Sequence, residues 1–186
     1  GNGMSDREVR DEVVTLMLAG HETTANTLNW TFYALSQNPE AEAKLHAELD
    51  AVLGGRPPTL ADLRELPYTE MVVKEAMRLL PPVPGISRHT TTDITVGDYS
   101  LPAGHEVFVQ TYLTHRHPKV WDEPLAFRPE RFSTENEEQR HKWSYYPFGG
   151  GQRVCIGNSF AMMEAQLLLA TVAGRHRLRL VPDANV

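Results

Sequence analysis

Apolar positions recur at helical spacing along the first part of the chain, and Ser5-Asp6-Arg7-Glu8 opens that stretch as a capping box. The Ser5 hydroxyl can meet the Glu8 amide while the Glu8 carboxylate reaches back. The pattern predicts one apolar-rich helix running to about Gln37, before Asn38-Pro39. At ~1.5 Å per residue it would span roughly 45 Å, long for a globular helix. Its middle, Ala19-Gly20-His21-Glu22-Thr23-Thr24, breaks the pattern with a glycine and adjacent threonines, which can loosen the helical ladder. Asn38 caps a second helix with Pro39 at its first position, ending at Gly54-Gly55. Leu60 to Leu66 suggests a short helix. Another runs from about Tyr68 to Leu80 and is stopped by Pro81-Pro82.

The period then changes. Ile86-Ser87-Arg88, Ile94-Thr95-Val96 and His105 to Gln110 read as short strands, with turns at Gly97-Asp98 and Pro102-Ala103-Gly104. Trp121 to Trp143 reads as irregular and rich in Pro, Arg and Glu; so long a connection is usually functional. A last helix, about Asn158 to Ala173, is apolar on most of its circumference and is expected to be buried.

Composition narrows the chemistry. At 186 residues, 41% hydrophobic and 23% charged, the chain has ordinary globular usage. A net charge of -6 without a Lys/Arg-rich run argues against a nucleic-acid partner. The single cysteine excludes an internal disulfide, a four-cysteine zinc site and a self-contained iron–sulfur cluster. His115-Arg116-His117 has metal-like spacing but no supporting ligand cluster, and reads as loop structure.

The lone Cys155 sits in the most informative stretch, Phe148-Gly149-Gly150-Gly151-Gln152-Arg153-Val154-Cys155-Ile156-Gly157. Consecutive glycines let the backbone turn tightly and approach a flat ligand. Cys155 comes just before a helix start, where amides and the positive dipole end favour a thiolate. Arg153 is placed to meet an anionic group, and Phe148 could shield the sulfur. The ordinary fate of a lone cysteine is an inert buried thiol. Against it stands the joint pattern of Phe148, Gly151, Arg153, Cys155 and Gly157, a chance match on the order of one in several million per start position.

This loop resembles the haem-binding signature of the cytochrome P-450 superfamily. Ala19-Gly20-His21-Glu22-Thr23-Thr24 resembles that family's oxygen-binding helix motif, Glu75-Ala76-Met77-Arg78 its Glu-x-x-Arg motif, and Phe127-Arg128-Pro129-Glu130-Arg131-Phe132 its Pro-Glu-Arg-Phe segment. The resemblance covers essentially the whole chain. It implies a mainly α fold with a small β region, of which residues 1–186 would be the C-terminal part of one haem domain. It implies that Cys155 ligates the iron of haem b (iron protoporphyrin IX), with Gly149 and Gly157 shaping the loop. Arg153 and Arg88 would serve the haem propionates. Glu75, Arg78 and Arg131 would form a buried network beneath the loop. Thr23 and Glu22 would deliver protons above the iron, and Ala19 and Gly20 would make room for dioxygen. Thr23 and Thr24 bonding back to their own helix is the bland alternative.

Val83, Pro84, Gly85 and Ile86 match a segment over the haem edge. With Thr15, Leu18 and Ala19 they would line part of an apolar pocket, which implies a lipophilic substrate. The implied function is a monooxygenase fed electrons by a ferredoxin, flavodoxin or flavoprotein reductase. Two other classes stay open: a haem-thiolate peroxygenase or isomerase, and a haem-binding fragment without turnover. The loop and helix style is similar to soluble bacterial members, implying a cytoplasmic protein. Gly1-Asn2-Gly3-Met4 reads as a loop entering a helix, and Asp183-Ala184-Asn185-Val186 as an early end.

Overall fold

The computed structural model describes residues 3–184 and 186, so Gly1, Asn2 and Asn185 of the two end readings lie outside the described residues. Helix α1 spans Asp6–Gln37, and its start is the expected capping box: Ser5 Oγ accepts from the Glu8 amide at 3.4 Å while the Ser5 amide donates to Glu8 Oε2 at 2.7 Å. The helix is continuous through Ala19–Thr24, which corrects the expected loosening. Thr23, Thr27 and Thr31 each donate a hydroxyl to the carbonyl four residues back, at 2.6, 2.9 and 2.7 Å. These bonds add to the ladder without replacing it. A single interior glycine costs only about 1 kcal/mol, too little to interrupt a helix of this length.

Asn38 separates α1 from α2 (Pro39–Leu53), which ends where Gly54 takes φ 56°, a left-handed cap that suits glycine. A 3-10 turn at Leu60–Glu65 leads into α3, Pro67–Leu79. The unpaired amides at the α3 start are capped from α2: Glu48 accepts from the Tyr68 amide at 2.6 Å, the Thr69 amide at 2.8 Å and the Thr69 hydroxyl at 2.7 Å. The apolar face of α3 then buries Val72, Val73, Ala76 and Met77 against α2, the second half of α1 and the last helix, α6 (Asn158–Ala173). Leu35, Leu45, Leu49, Leu66 and Leu169 complete this core.

Two small antiparallel sheets lie to one side. Strand β1 (Ile86–His89) pairs with β4 (Glu106–Val109), and β2 (Ile94–Val96) pairs with β3 (Tyr99–Leu101) around Gly97. The sequence reading omits β3, whose three residues carry too short a pattern to separate from the turn. Directly after the last strand, Thr111–Thr114 forms a helical turn, α4, that the sequence reading omits. Within Trp121–Trp143, Pro129–Phe132 forms a 3-10 turn and Thr134–Gln139 a helix, α5, started by the Ser133 hydroxyl accepting from the Asn136 amide. Helix α6 is also less enclosed than expected: Ala165, Leu169, Ala170 and Ala173 are buried, while Phe160 is 63% exposed. Its other apolar face borders a cavity, not the core.

Replacing Glu48 by Ala leaves the amides of Tyr68 and Thr69 without their carboxylate. The expected loss is about 1–3 kcal/mol in denaturant-induced unfolding, the range for hydrogen bonds to a charged group. An unchanged midpoint would mean that water caps α3 equally well.

Candidate active site

The site rests on one turn of α3. Residues three apart on a helix share a face, so Glu75 and Arg78 meet, and here both are fully buried. Arg78 Nε and Nη2 donate to the two Glu75 oxygens at 2.7 and 2.9 Å. The remaining guanidinium donors reach carbonyls of His115 at 2.8 Å, Pro124 at 2.7 Å and Ala126 at 3.1 Å. Glu75 also accepts from the Arg128 amide at 2.8 Å. Arg131 Nε comes within 3.4 Å of Glu75 without hydrogen-bond geometry, and Arg131 is held instead by the Glu123 carbonyl at 2.7 Å. The irregular stretch after Trp121 is thereby tied to α3 by its backbone carbonyls.

The loop from Tyr145 to Gly157 lies against that network. The Gly149 amide donates to Tyr146 O at 3.0 Å, and the Cys155 amide donates to Phe148 O at 3.0 Å, which closes the loop. Gly149 and Gly151 have φ of 74° and 72°, a region that disfavours any side chain. Gly150 is required for space: an added Cβ would stand 2.5 Å from the Trp143 ring. Phe148 packs on the core, and the Cys155 thiol is exposed.

Cys155 opens onto a cavity of about 750 Å3 between the loop, α1 and α6. On its other walls α1 presents Ala19, Gly20 and Thr23, the chain before β1 presents Val83, and β1 itself presents Ile86 and Arg88. Arg153 stands on the same wall. Among the described residues neither Arg88 nor Arg153 has an acidic partner; Arg88 donates only to Ser87 O, at 2.7 Å. The described residues also contain no group of three His, Cys, Asp or Glu able to cage a metal ion. A lone thiol, two free guanidiniums and apolar walls suit a flat apolar ligand that carries its own iron ligands and anionic substituents. Haem has that chemistry, so the residues fit the group.

A family model described as Cytochrome P-450 matches residues 1–186. The chain belongs to the cytochrome P-450 family. It is 47% identical over 186 residues to cyclooctatin synthase of Streptomyces melanosporofaciens, covering 100% of this chain and 40% of that protein. It is 43% identical over 174 residues to cytochrome P-450 4V2 of Homo sapiens, covering 92% of this chain and 33% of that one. A crystal structure of a cytochrome P-450 matches with TM-score 0.91 and 32% identity, covering 100% of this chain and 42% of its own. The chain thus spans about two-fifths or less of the length of these relatives. Family membership implies a haem-iron cofactor. No helix among the described residues is long and apolar enough to cross a membrane.

In this P-450 chain the cavity gathers Cys155, Gly157, Phe148, Gly149, Arg153, Arg88, Ala19, Gly20, Thr23, Val83 and Ile86. It does not gather Thr15, Leu18, Pro84, Gly85 or Glu22. Leu16, Ala19, Gly20, Thr23 and Thr27 repeat at three to four residues and form the cavity face of α1. Thr15 and Leu18 fall off that face: Thr15 donates to Asp11 O at 2.8 Å, and Leu18 is 66% exposed. Gly85 packs on β4, where an added Cβ would sit 3.0 Å from Gln110 Oε1, and the Pro84 carbonyl accepts from the Tyr112 amide at 2.9 Å. Glu22 is exposed on the helix flank. Thr23 does bond back to its own helix, through Ala19 O, while also facing the cavity. The sequence reading missed Leu16, Thr24, Thr27, Met77 and Phe160 as wall residues; continuing the three-to-four spacing from Thr23 would have found those on α1.

Glu75→Ala or Arg78→Ala strands the other charge in the interior, which costs ~3–5 kcal/mol. Haem incorporation is expected to be abolished in either variant, read as loss of Soret absorbance in the purified protein. Normal haem content would contradict the role of the pair.

Proposed function

We propose that this chain is the C-terminal part of the haem domain of a haem-thiolate monooxygenase. The enzyme binds haem b, inserts one atom of dioxygen into a lipophilic substrate, and takes electrons from a ferredoxin, flavodoxin or flavoprotein reductase. One observation carries the reading: the Cys155 thiol and the Thr23 side chain lie on walls of the same largely apolar cavity. Bound haem iron would supply dioxygen activation, with a thiolate donating electron density that favours O–O cleavage.

The chain's own residues would do the rest. Cys155 Sγ ligates the iron as a thiolate, and the amide bond from Cys155 to Phe148 O fixes the loop that carries it. Arg88 and Arg153 bind carboxylates of the cofactor at the cavity edge, where no protein anion competes for them among the described residues. The buried Glu75–Arg78 pair holds the connection on which the loop lies. Thr23 donates its proton to Ala19 O and so offers oxygen lone pairs to a water in the cavity. Turned away from Ala19 O, that hydroxyl would instead present its proton to the cavity. Exposed Glu22, one residue earlier, can exchange protons with solvent and relay them. A hydroxyl at this position favours dioxygen chemistry over a peroxygenase or isomerase, neither of which needs proton delivery to dioxygen.

The test uses the holoenzyme with a substrate that shifts its Soret band. Product formed under labelled dioxygen is expected to carry one labelled oxygen. Thr23→Ala is expected to lower coupled product formation by about 100-fold, the low end for a positioned proton-transfer group, and to raise peroxide release. Unlabelled product or unchanged coupling would overturn the proposal.

A further inference from the structure

His115 lies outside the cavity, in a stretch that the sequence marks only as loop, yet it is fully buried. Its two ends point to different parts of the site. Its backbone carbonyl accepts from Arg78 Nη1 at 2.8 Å, which joins it to the Glu75–Arg78 network. Its side chain Nε2 accepts from the Tyr146 amide at 2.9 Å, at the entry to the cysteine loop. Two further backbone bonds lead from there to the thiol: Tyr146 O accepts from Gly149, and Phe148 O accepts from Cys155. The ring is clamped by Tyr145, stacked at 5.0 Å, and by Tyr146, edge-on at 5.2 Å. Tyr146 is fixed in turn by its hydroxyl, 2.8 Å from Thr114 Oγ1.

We infer that His115 is a positioning residue: its Nε2 acceptor transmits the placement of the Glu75–Arg78 network to the loop that presents Cys155. This rests on the haem-thiolate reading given above. The acceptor role requires the neutral imidazole with its proton on Nδ1, because a protonated ring would turn a second N–H toward the Tyr146 N–H. The surroundings keep the ring neutral. Burial, and then the Arg78 charge, push His115 down to about 4 from its ordinary 6.5. The imidazole therefore accepts throughout the neutral pH range.

The experiment compares holoenzymes carrying His115→Leu and His115→Gln with the unmodified protein by the ferrous–carbon monoxide spectrum. Leu keeps bulk without an acceptor, whereas the Gln amide oxygen reaches the Nε2 position. His115→Leu is expected to raise the ratio of unshifted to red-shifted Soret band about tenfold or more, the weight of one lost buried hydrogen bond. His115→Gln is expected to stay within a few-fold of the unmodified ratio. Equal ratios in Leu and Gln, whether both high or both low, would overturn the inference. A red-shifted band missing from the unmodified holoenzyme would instead sink the haem-thiolate reading itself. If the Leu variant does not fold, hydrogen exchange in the unmodified holoenzyme still decides: the Tyr146 amide is expected among the slowly exchanging sites, and rapid exchange there would overturn the inference.

Discussion

The buried Glu75–Arg78 ion pair is the constraint from which the rest of the site follows. An isolated charge in this interior is prohibitively expensive, so each partner must be fully satisfied. Arg78 spends its donors on both Glu75 oxygens and on three carbonyls from residues 115 to 126, and Glu75 adds the Arg128 amide. A segment without long regular structure thereby gains a fixed path across α3. Only a planar, permanently charged group with a fork of donors can meet so many acceptors at once.

What that path supports is a loop with almost no freedom. Left-handed Gly149 and Gly151, the Trp143 ring against Gly150, and the Phe148–Cys155 backbone bond fix the loop with the thiol exposed on the cavity wall. Another wall of the same cavity is the face of α1 that carries Thr23 and Thr27, each bonded back to the helix. Thr23 and Cys155 thus sit on separate supports, α1 and the loop before α6, that pack together through α3 and α6.

Much of this was legible in the sequence, for local reasons. The Ser5 capping box, Pro39 at a first helical position and the glycine cap at Gly54 act within a few residues, and the elements start and stop there. The cysteine loop was legible because Phe148, Gly151, Arg153, Cys155 and Gly157 form one joint pattern within ten residues. The misses have non-local causes. Strand β3 and helices α4 and α5 are too short for a period to register, and they exist because their neighbours hold them. Apolarity around α6 could not reveal that one face borders a ligand-sized cavity rather than the core. Thr15 and Leu18 precede Ala19 on the same helix, but rotation about its axis puts Leu16 on the wall. His115 looked like loop filler because its partners, Arg78 and Tyr146, are 37 and 31 residues away.

Whether the loop does what its geometry suits it for comes down to the bond between Cys155 and iron. The deciding measurement is the absorption spectrum of the haem-loaded holoenzyme, reduced and exposed to carbon monoxide, beside that of Cys155→His. Thiolate ligation through Cys155 gives a strongly red-shifted Soret band that the histidine variant loses. An unshifted band in the unmodified protein, or a red-shifted band that survives the loss of Cys155, would contradict it.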